Sequence, residues 1–180
     1  TILLVSRLIS ALPYRVIVPS IMTSDGRLLI SSEAVSAWIK YLLPLSTILV
    51  LRVCEAEVIL GHRITSDEQM LHAAMELRAL GAGAVLLRGG HVMDDYLTAL
   101  LFDGEHHSFF TSRNTSGWQR HGVSGAMTSA IAVRYAIGDS TEQAVANAHS
   151  YVHSRIVYAV SPSKGTYTMR PADIYNNFLS

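Results

Sequence analysis

Two runs, Thr47-Ile48-Leu49-Val50-Leu51 and Ala84-Val85-Leu86-Leu87, decide the fold. Each is short, apolar and unbroken. A strand with one wet face alternates apolar and polar residues, whereas these keep both faces apolar, the pattern of strands covered on both sides in a parallel sheet. Helical patterns fill the space between them. Glu55 to Leu60 reads as a short helix ending at Gly61. Ser66-Asp67-Glu68-Gln69 reads as a capping box. It opens a helix that carries Met70, Ala73, Ala74, Leu77 and Leu80 and stops at Gly81. Strand, helices, strand is the unit of an α/β fold with a mostly parallel sheet.

Working outward, Ile2, Val5, Leu8, Ile9 and Leu12 fall at helical spacing up to Pro13, and residues 15–18 read as another buried strand. Asp25-Gly26 signals a turn. Ser32 is expected to cap a helix bearing Val35, Trp38, Ile39 and Leu42, closed by Pro44. On the other side, Gly89-Gly90 breaks the second run. Tyr96 to Phe102 and residues 108–111 read as antiparallel strands joined at Asp103-Gly104. Residues 114–120 read as a polar loop and residues 122–137 as a helix. Ser140-Thr141-Glu142-Gln143 is a second capping box before a helix through Ala144, Ala148, Tyr151, Val152 and Ile156. Residues 161–168 read as loop, and Pro171 as the start of a last short helix. With no repeat, low-complexity run or linker, residues 1–180 read as a single domain. Because the chain opens in mid-pattern of a helix, that domain is expected to be N-terminally incomplete.

Composition narrows the function. The 180 residues are 49% hydrophobic and 16% charged, with a formal net charge of +0. That neutrality gives no electrostatic case for nucleic acid or an anionic membrane. One cysteine, Cys54, excludes an internal disulfide or a Cys-rich zinc site. It reads as a buried, inert thiol. Eight histidines include the neighbours His106 and His107 but no HExxH pair, and they read as surface or polar-edge residues. No stretch is long and apolar enough to span a bilayer, no signal peptide is expected, and a cytoplasmic setting fits the cysteine usage.

In such sheets ligands bind beyond the C-terminal ends of the strands. Three segments fall there: Leu51-Arg52-Val53-Cys54-Glu55, Arg88-Gly89-Gly90-His91, and His121-Gly122-Val123-Ser124-Gly125-Ala126. In the last, small residues enter a helix. Its free backbone N–H groups and outward dipole suit an anion, although close packing against the sheet asks for the same residues. Glu55 could hold a magnesium ion, directly or through water, or be a first-turn carboxylate favouring the helix dipole. Gly89-Gly90 either admit a nucleotide close to the backbone or simply end a strand.

These segments resemble a known family. Residues 42–47 followed by Glu55-Ala56-Glu57-Val58-Ile59-Leu60-Gly61, then Ala82-Gly83-Ala84-Val85-Leu86-Leu87-Arg88-Gly89-Gly90-His91, are similar to hydroxymethylpyrimidine/phosphomethylpyrimidine kinases of the ribokinase-like superfamily. So are Asp103-Gly104, Ser129-Ala130-Ile131-Ala132, Ala136-Ile137-Gly138-Asp139-Ser140, Ala144-Val145 and Tyr151-Val152, in the same order. The resemblance implies a three-layer ribokinase-like fold with its N-terminal part absent. It implies ATP and Mg2+ as cofactors and a role in thiamine biosynthesis, with phosphoryl transfer to a hydroxymethylpyrimidine or its phosphate. The implied partners are a nucleotide, a pyrimidine substrate and a second copy in a homodimer. Arg88, Gly89, Gly90 and His91 become nucleotide-binding residues, Glu55 a magnesium ligand, and Gly122, Val123, Ser124 and Gly125 the anion hole.

The sequence departs from the family at chemically serious places. The catalytic Cys, or Asp in relatives, falls at Gly125, which has no side chain to accept a proton. The family's Asp-Pro-Val-Met falls at Pro19-Ser20-Ile21-Met22, and the Asn of its Asn-x-x-Glu falls at Arg52. A five-residue insertion, 114–118, precedes the anion loop. Three readings follow: a kinase of the thiamine pathway with impaired turnover, an inactive nucleotide-binding or regulatory protein, and a scaffold that uses an open sheet edge.

Overall fold

The computed structural model describes residues 1–19, 21, 27–89, 96–113, 119–157, 160–163 and 166–168. Its centre is a five-stranded sheet in the order β1-β2-β3-β4-β5. The strands are β1 (Val16–Ile17), β2 (Ile48–Arg52), β3 (Val85–Arg88), β4 (Tyr96–Phe102) and β5 (His107–Arg113). The first three are parallel, with Val16 opposite Ile48 and Leu49 opposite Val85. The last two turn back as an antiparallel hairpin, with Val85 opposite Phe102 and Phe102 opposite His107.

Alternation along these strands builds two cores. Leu49, Leu51, Val85, Leu87, Leu100 and Phe102 face one way, Ile48, Val50, Ala84, Leu86, Ala99 and Leu101 the other. The first face is covered by α1 (Ile2–Ile9), α2 (Ser32–Tyr41), α3 (Val53–Leu60) and α4 (Asp67–Ala79), the second by α5 (Val123–Ala136) and α6 (Thr141–Val157). Ile48 to Leu51 and Ala84 to Leu87 are all at most 3% exposed, which is why these stretches are apolar on both faces. This three-layer arrangement is the one expected.

The caps explain the helix boundaries. Ser66 Oγ accepts from Gln69 N–H at 3.2 Å. The Gln69 side chain reaches past Ser66 to Thr65, accepting from its N–H at 2.7 Å and its hydroxyl at 2.9 Å. At α6 the box is reciprocal: Ser140 Oγ accepts from Gln143 N–H and Gln143 Oε1 accepts from Ser140 N–H. The cap of α2 is Ser31, one residue before the one expected, its hydroxyl accepting from Ala34 N–H. Pro44 sits in a 3-10 turn, Leu43–Leu45, and α4 ends at Ala79, which leaves Leu80 exposed.

Residues expected as loop form a second sheet. β6 (Gln119–His121) pairs in parallel with β8 (Thr166–Thr168), which pairs antiparallel with β7 (Val160–Ser163). The expected turn at Asp25-Gly26, the insertion at 114–118 and the helix at Pro171 lie outside the described residues. Among those described, no helix is long and apolar enough to cross a membrane.

Apolar side chains stay exposed at Leu3, Leu4 and Leu8 of α1, at Leu12 and Tyr14 after it, at Val133 of α5 and at Ile137 just past its end. Tyr14 stacks flat on Tyr135, the ring centroids 5.4 Å apart. Arg15 fastens this corner. Its N–H bonds Thr47 Oγ1 at 3.1 Å, and its guanidinium donates to the carbonyls of Ser10, Leu12 and Leu45. Unpaired carbonyls behind α1 are thereby satisfied.

Candidate functional site

Arg52 and Arg88 close β2 and β3 and are Cα partners across the parallel pair. Paired positions bring the two residues together at the strand ends, close enough for the Arg52 charge to act on Arg88, although the guanidiniums turn to different helices, Arg52 to α3 and Arg88 to α5. Periodicity along either strand does not reveal this meeting, because register belongs to the pair.

Arg52 is also the residue from which α3 starts. Glu55, in the helix's first turn, reaches back and its Oε2 accepts from the Arg52 N–H at 2.9 Å. The Arg52 guanidinium completes the pair with Oε1 at 3.3 Å. Glu55 is almost fully buried, at 3% exposure. A buried carboxylate needs such partners, since an isolated charge taken out of water is expensive. Cys54 beside it is half-buried rather than buried, and burial pushes its thiol pKa up, in keeping with an inert thiol.

Arg88 reaches α5 from the neighbouring strand, its Nη1 donating to Ser124 Oγ at 3.3 Å. Burial holds its guanidinium below the ordinary arginine value, with Glu55 acting in the opposite sense and Arg52 adding to the depression. Gly89 continues at φ +76°. Gly90 and His91 lie outside the described residues. His149 of α6, in ring contact with Phe110 at 5.5 Å, borders the same corner. Its pKa is lowered by burial first, then by His153 and Arg88.

The helix entrance is built by Gly122, the N-cap of α5, in the left-handed region at φ 87°. Glycine takes that conformation without the Cβ penalty. No side chain caps this end, unlike α2 and α4. The first-turn N–H groups, those of Val123, Ser124 and Gly125, have no acceptor within the helix. They point, with the positive end of the helix dipole, toward the side where Arg88 meets Ser124. Gly125 is exposed, and a Cβ built on it would meet nothing within 4 Å. The structure thus brings Arg88, Ser124 and the uncapped start of α5 together, with Arg52 paired to Arg88 at the strand ends, while Pro19 lies buried just past β1.

The residues around Glu55 do not suit direct coordination of the magnesium ion expected there. Magnesium takes carboxylate oxygens and water in a strict octahedron. Both Glu55 oxygens already accept from Arg52, and two guanidiniums stand nearby. Among the described residues, no group of three or more His, Cys, Asp and Glu is placed to hold a metal.

Comparison with known proteins bears on this geometry. The family described as phosphomethylpyrimidine kinase matches residues 1–170. The chain is 35% identical over 150 residues to the thiamine biosynthesis bifunctional protein ThiED of Geobacter sulfurreducens, covering 83% of this chain and 31% of that protein. It is 32% identical over 142 residues to the hydroxymethylpyrimidine/phosphomethylpyrimidine kinase of Rhizobium meliloti, covering 78% and 53%. Among solved structures, the Staphylococcus aureus pyridoxal kinase in complex with AMP-PCP superposes with a TM-score of 0.84 at 26% identity, covering 93% of this chain and 62% of that one. The chain therefore spans about a third to a half of the length of these curated relatives. The sheet, its two helical layers and the match over residues 1–170 lead to one conclusion: the chain has the ribokinase-like fold and belongs to the phosphomethylpyrimidine kinase family.

Proposed function

We propose that this chain is the nucleotide-binding portion of a phosphotransferase of thiamine biosynthesis. In this reading it binds ATP for transfer to a hydroxymethylpyrimidine or its phosphate, and its own turnover is impaired. The observation that carries the proposal is the junction of Arg88 with Ser124 at the uncapped start of α5. A guanidinium and free backbone amides converging on one point suit a phosphate group. The terminal phosphate lies against Val123, Ser124 and Gly125, with Arg88 drawing charge from its oxygens. Gly89, and by resemblance Gly90 and His91, lie along the rest of the nucleotide.

Transfer of a phosphoryl group depends on positioning and on stabilising negative charge. The anion loop serves the second need. A proton acceptor for the substrate hydroxyl is lacking at Gly125, and no carboxylate stands at Pro19. Loss of one well-placed catalytic group costs on the order of 100-fold or more in rate. These two positions also favour the neighbouring reading, a nucleotide-binding protein that no longer turns over. A homodimer and a cytoplasmic setting belong to the same proposal, by resemblance.

Calorimetric titration of the chain with ATP and ADP, in magnesium buffer and in EDTA, tests the binding. Saturable binding in either buffer is expected, with ATP-dependent phosphorylation of hydroxymethylpyrimidine slow or undetectable. Absence of binding in both buffers from a folded sample refutes the nucleotide site. Brisk phosphorylation refutes the impairment.

A further inference from the structure

Glu55 is committed before any ligand arrives. Its carboxylate holds the backbone N–H and the guanidinium of the residue that starts its own helix. Drawing it onto a cation would weaken its hold on the Arg52 N–H and would set a divalent charge beside a guanidinium. Both changes are unfavourable. Positive charge is already in place: Arg52 and Arg88 at paired strand ends and the start of α5 beyond Arg88, with Glu55 the carboxylate set against them among the described residues. A guanidinium offers an anion both charge and directed donors, the two services a magnesium ion performs for a polyphosphate.

We propose that the site takes a nucleoside polyphosphate without a divalent cation, Arg52 bringing from within the chain the charge that a metal would supply. The inference rests on the reading of α5 and Arg88 as the phosphate site. Glu55 then serves the start of α3 through the Arg52 N–H and offsets part of the positive charge. Free ATP is more negative than its magnesium complex, so this corner favours the free form.

The test is calorimetric titration of the chain with ATP in EDTA and in excess magnesium, together with titration by magnesium chloride alone. The expected affinity in EDTA equals or exceeds that in magnesium, and magnesium alone gives no saturable heat. Two variants separate the roles. Glu55→Gln keeps a capping-box acceptor for the Arg52 N–H and removes a negative charge near the phosphates. It should tighten ATP binding about threefold to tenfold, whereas loss of a metal ligand would weaken it. Arg52→Asn keeps a good helix cap and should weaken binding in EDTA by about tenfold or more, the worth of a charge-assisted hydrogen bond. Magnesium strengthening ATP binding by about tenfold or more, or Glu55→Gln abolishing it, overturns the inference while the nucleotide site stands. Absence of binding under both conditions removes both.

Discussion

Replacing Gly125 with Cys puts a proton acceptor back where the family carries one, and the structure allows the consequence to be worked out. Gly125 is the third residue of α5, is exposed, and has open space in the direction a side chain would take. The substitution therefore meets no steric penalty. Glycine is the poorest helix former after proline, by about 1 kcal/mol against alanine. For a chain of this size, each kcal/mol is worth about 2–4 °C in Tm. Gly125→Cys and Gly125→Ala should thus fold as well as the parent or melt slightly higher. Only the cysteine, as its thiolate, can take a proton, and a helix N-terminus favours the thiolate by lowering its pKa. General-base assistance is worth about 100- to 10,000-fold. The assay is ATP-dependent phosphorylation of hydroxymethylpyrimidine, followed by product formation, with Gly125→Ala as the control for helix stability. Cys exceeding Ala by about 100-fold or more is the expected result. Equal rates for the two variants would refute the assignment of position 125 as the place of the base.

Gly83 is tighter. A Cβ there would lie 2.5 Å from the Thr47 carbonyl oxygen and 2.9 Å from that of Ser46, at the entry of β2. Gly83→Ala should destabilise by about 2–3 kcal/mol, the range for overpacking, and lower Tm by about 4–12 °C in calorimetry. Ser140→Ala removes one arm of the reciprocal cap on α6 and should cost about 1 kcal/mol in urea titrations. Because the pKa of His149 is depressed in the folded chain, the unfolded chain takes up a proton that the folded one refuses as pH falls below about 6.5. The stability from this site is complete above that pH and is lost below it. His149→Phe should flatten the decline of the urea midpoint between about pH 8 and pH 5.

The large elements were legible because their signals are local. An apolar run buried on both faces, as in β2 and β3, cannot be mistaken for a half-wet strand. The serines that cap α4 and α6 announce themselves three residues ahead of their glutamines. The second sheet gave no such signal: β6 is three polar residues whose partner, β8, lies far along the chain, so only tertiary pairing makes it a strand. The cap of α2 shows the same limit on a small scale. Two adjacent serines have equal propensity, and the backbone chose Ser31. At the site, the residue types were visible but their engagements were not. Glu55 in a first turn reads equally as a ligand or as a helix carboxylate, and only the Arg52 contacts decide between them. That Arg52 and Arg88 meet follows from strand register, a property that neither strand holds by itself.

Along the sheet, spatial order and chain order coincide: each strand pairs with the one made just before it. During synthesis β2 can lie against β1 as it emerges, then β3 against β2, and the hairpin β4-β5 closes the far side. No strand has to be inserted between two already paired. Helices α3 and α4 appear between β2 and β3, so one core is roofed before the hairpin exists. The other face stays bare until α5 and α6 leave the ribosome. Apolar sheet surface left open in that interval is the kind that misassociates. The ordered addition of strands shortens the search for partners, but closing this face depends on α5 and α6 arriving promptly.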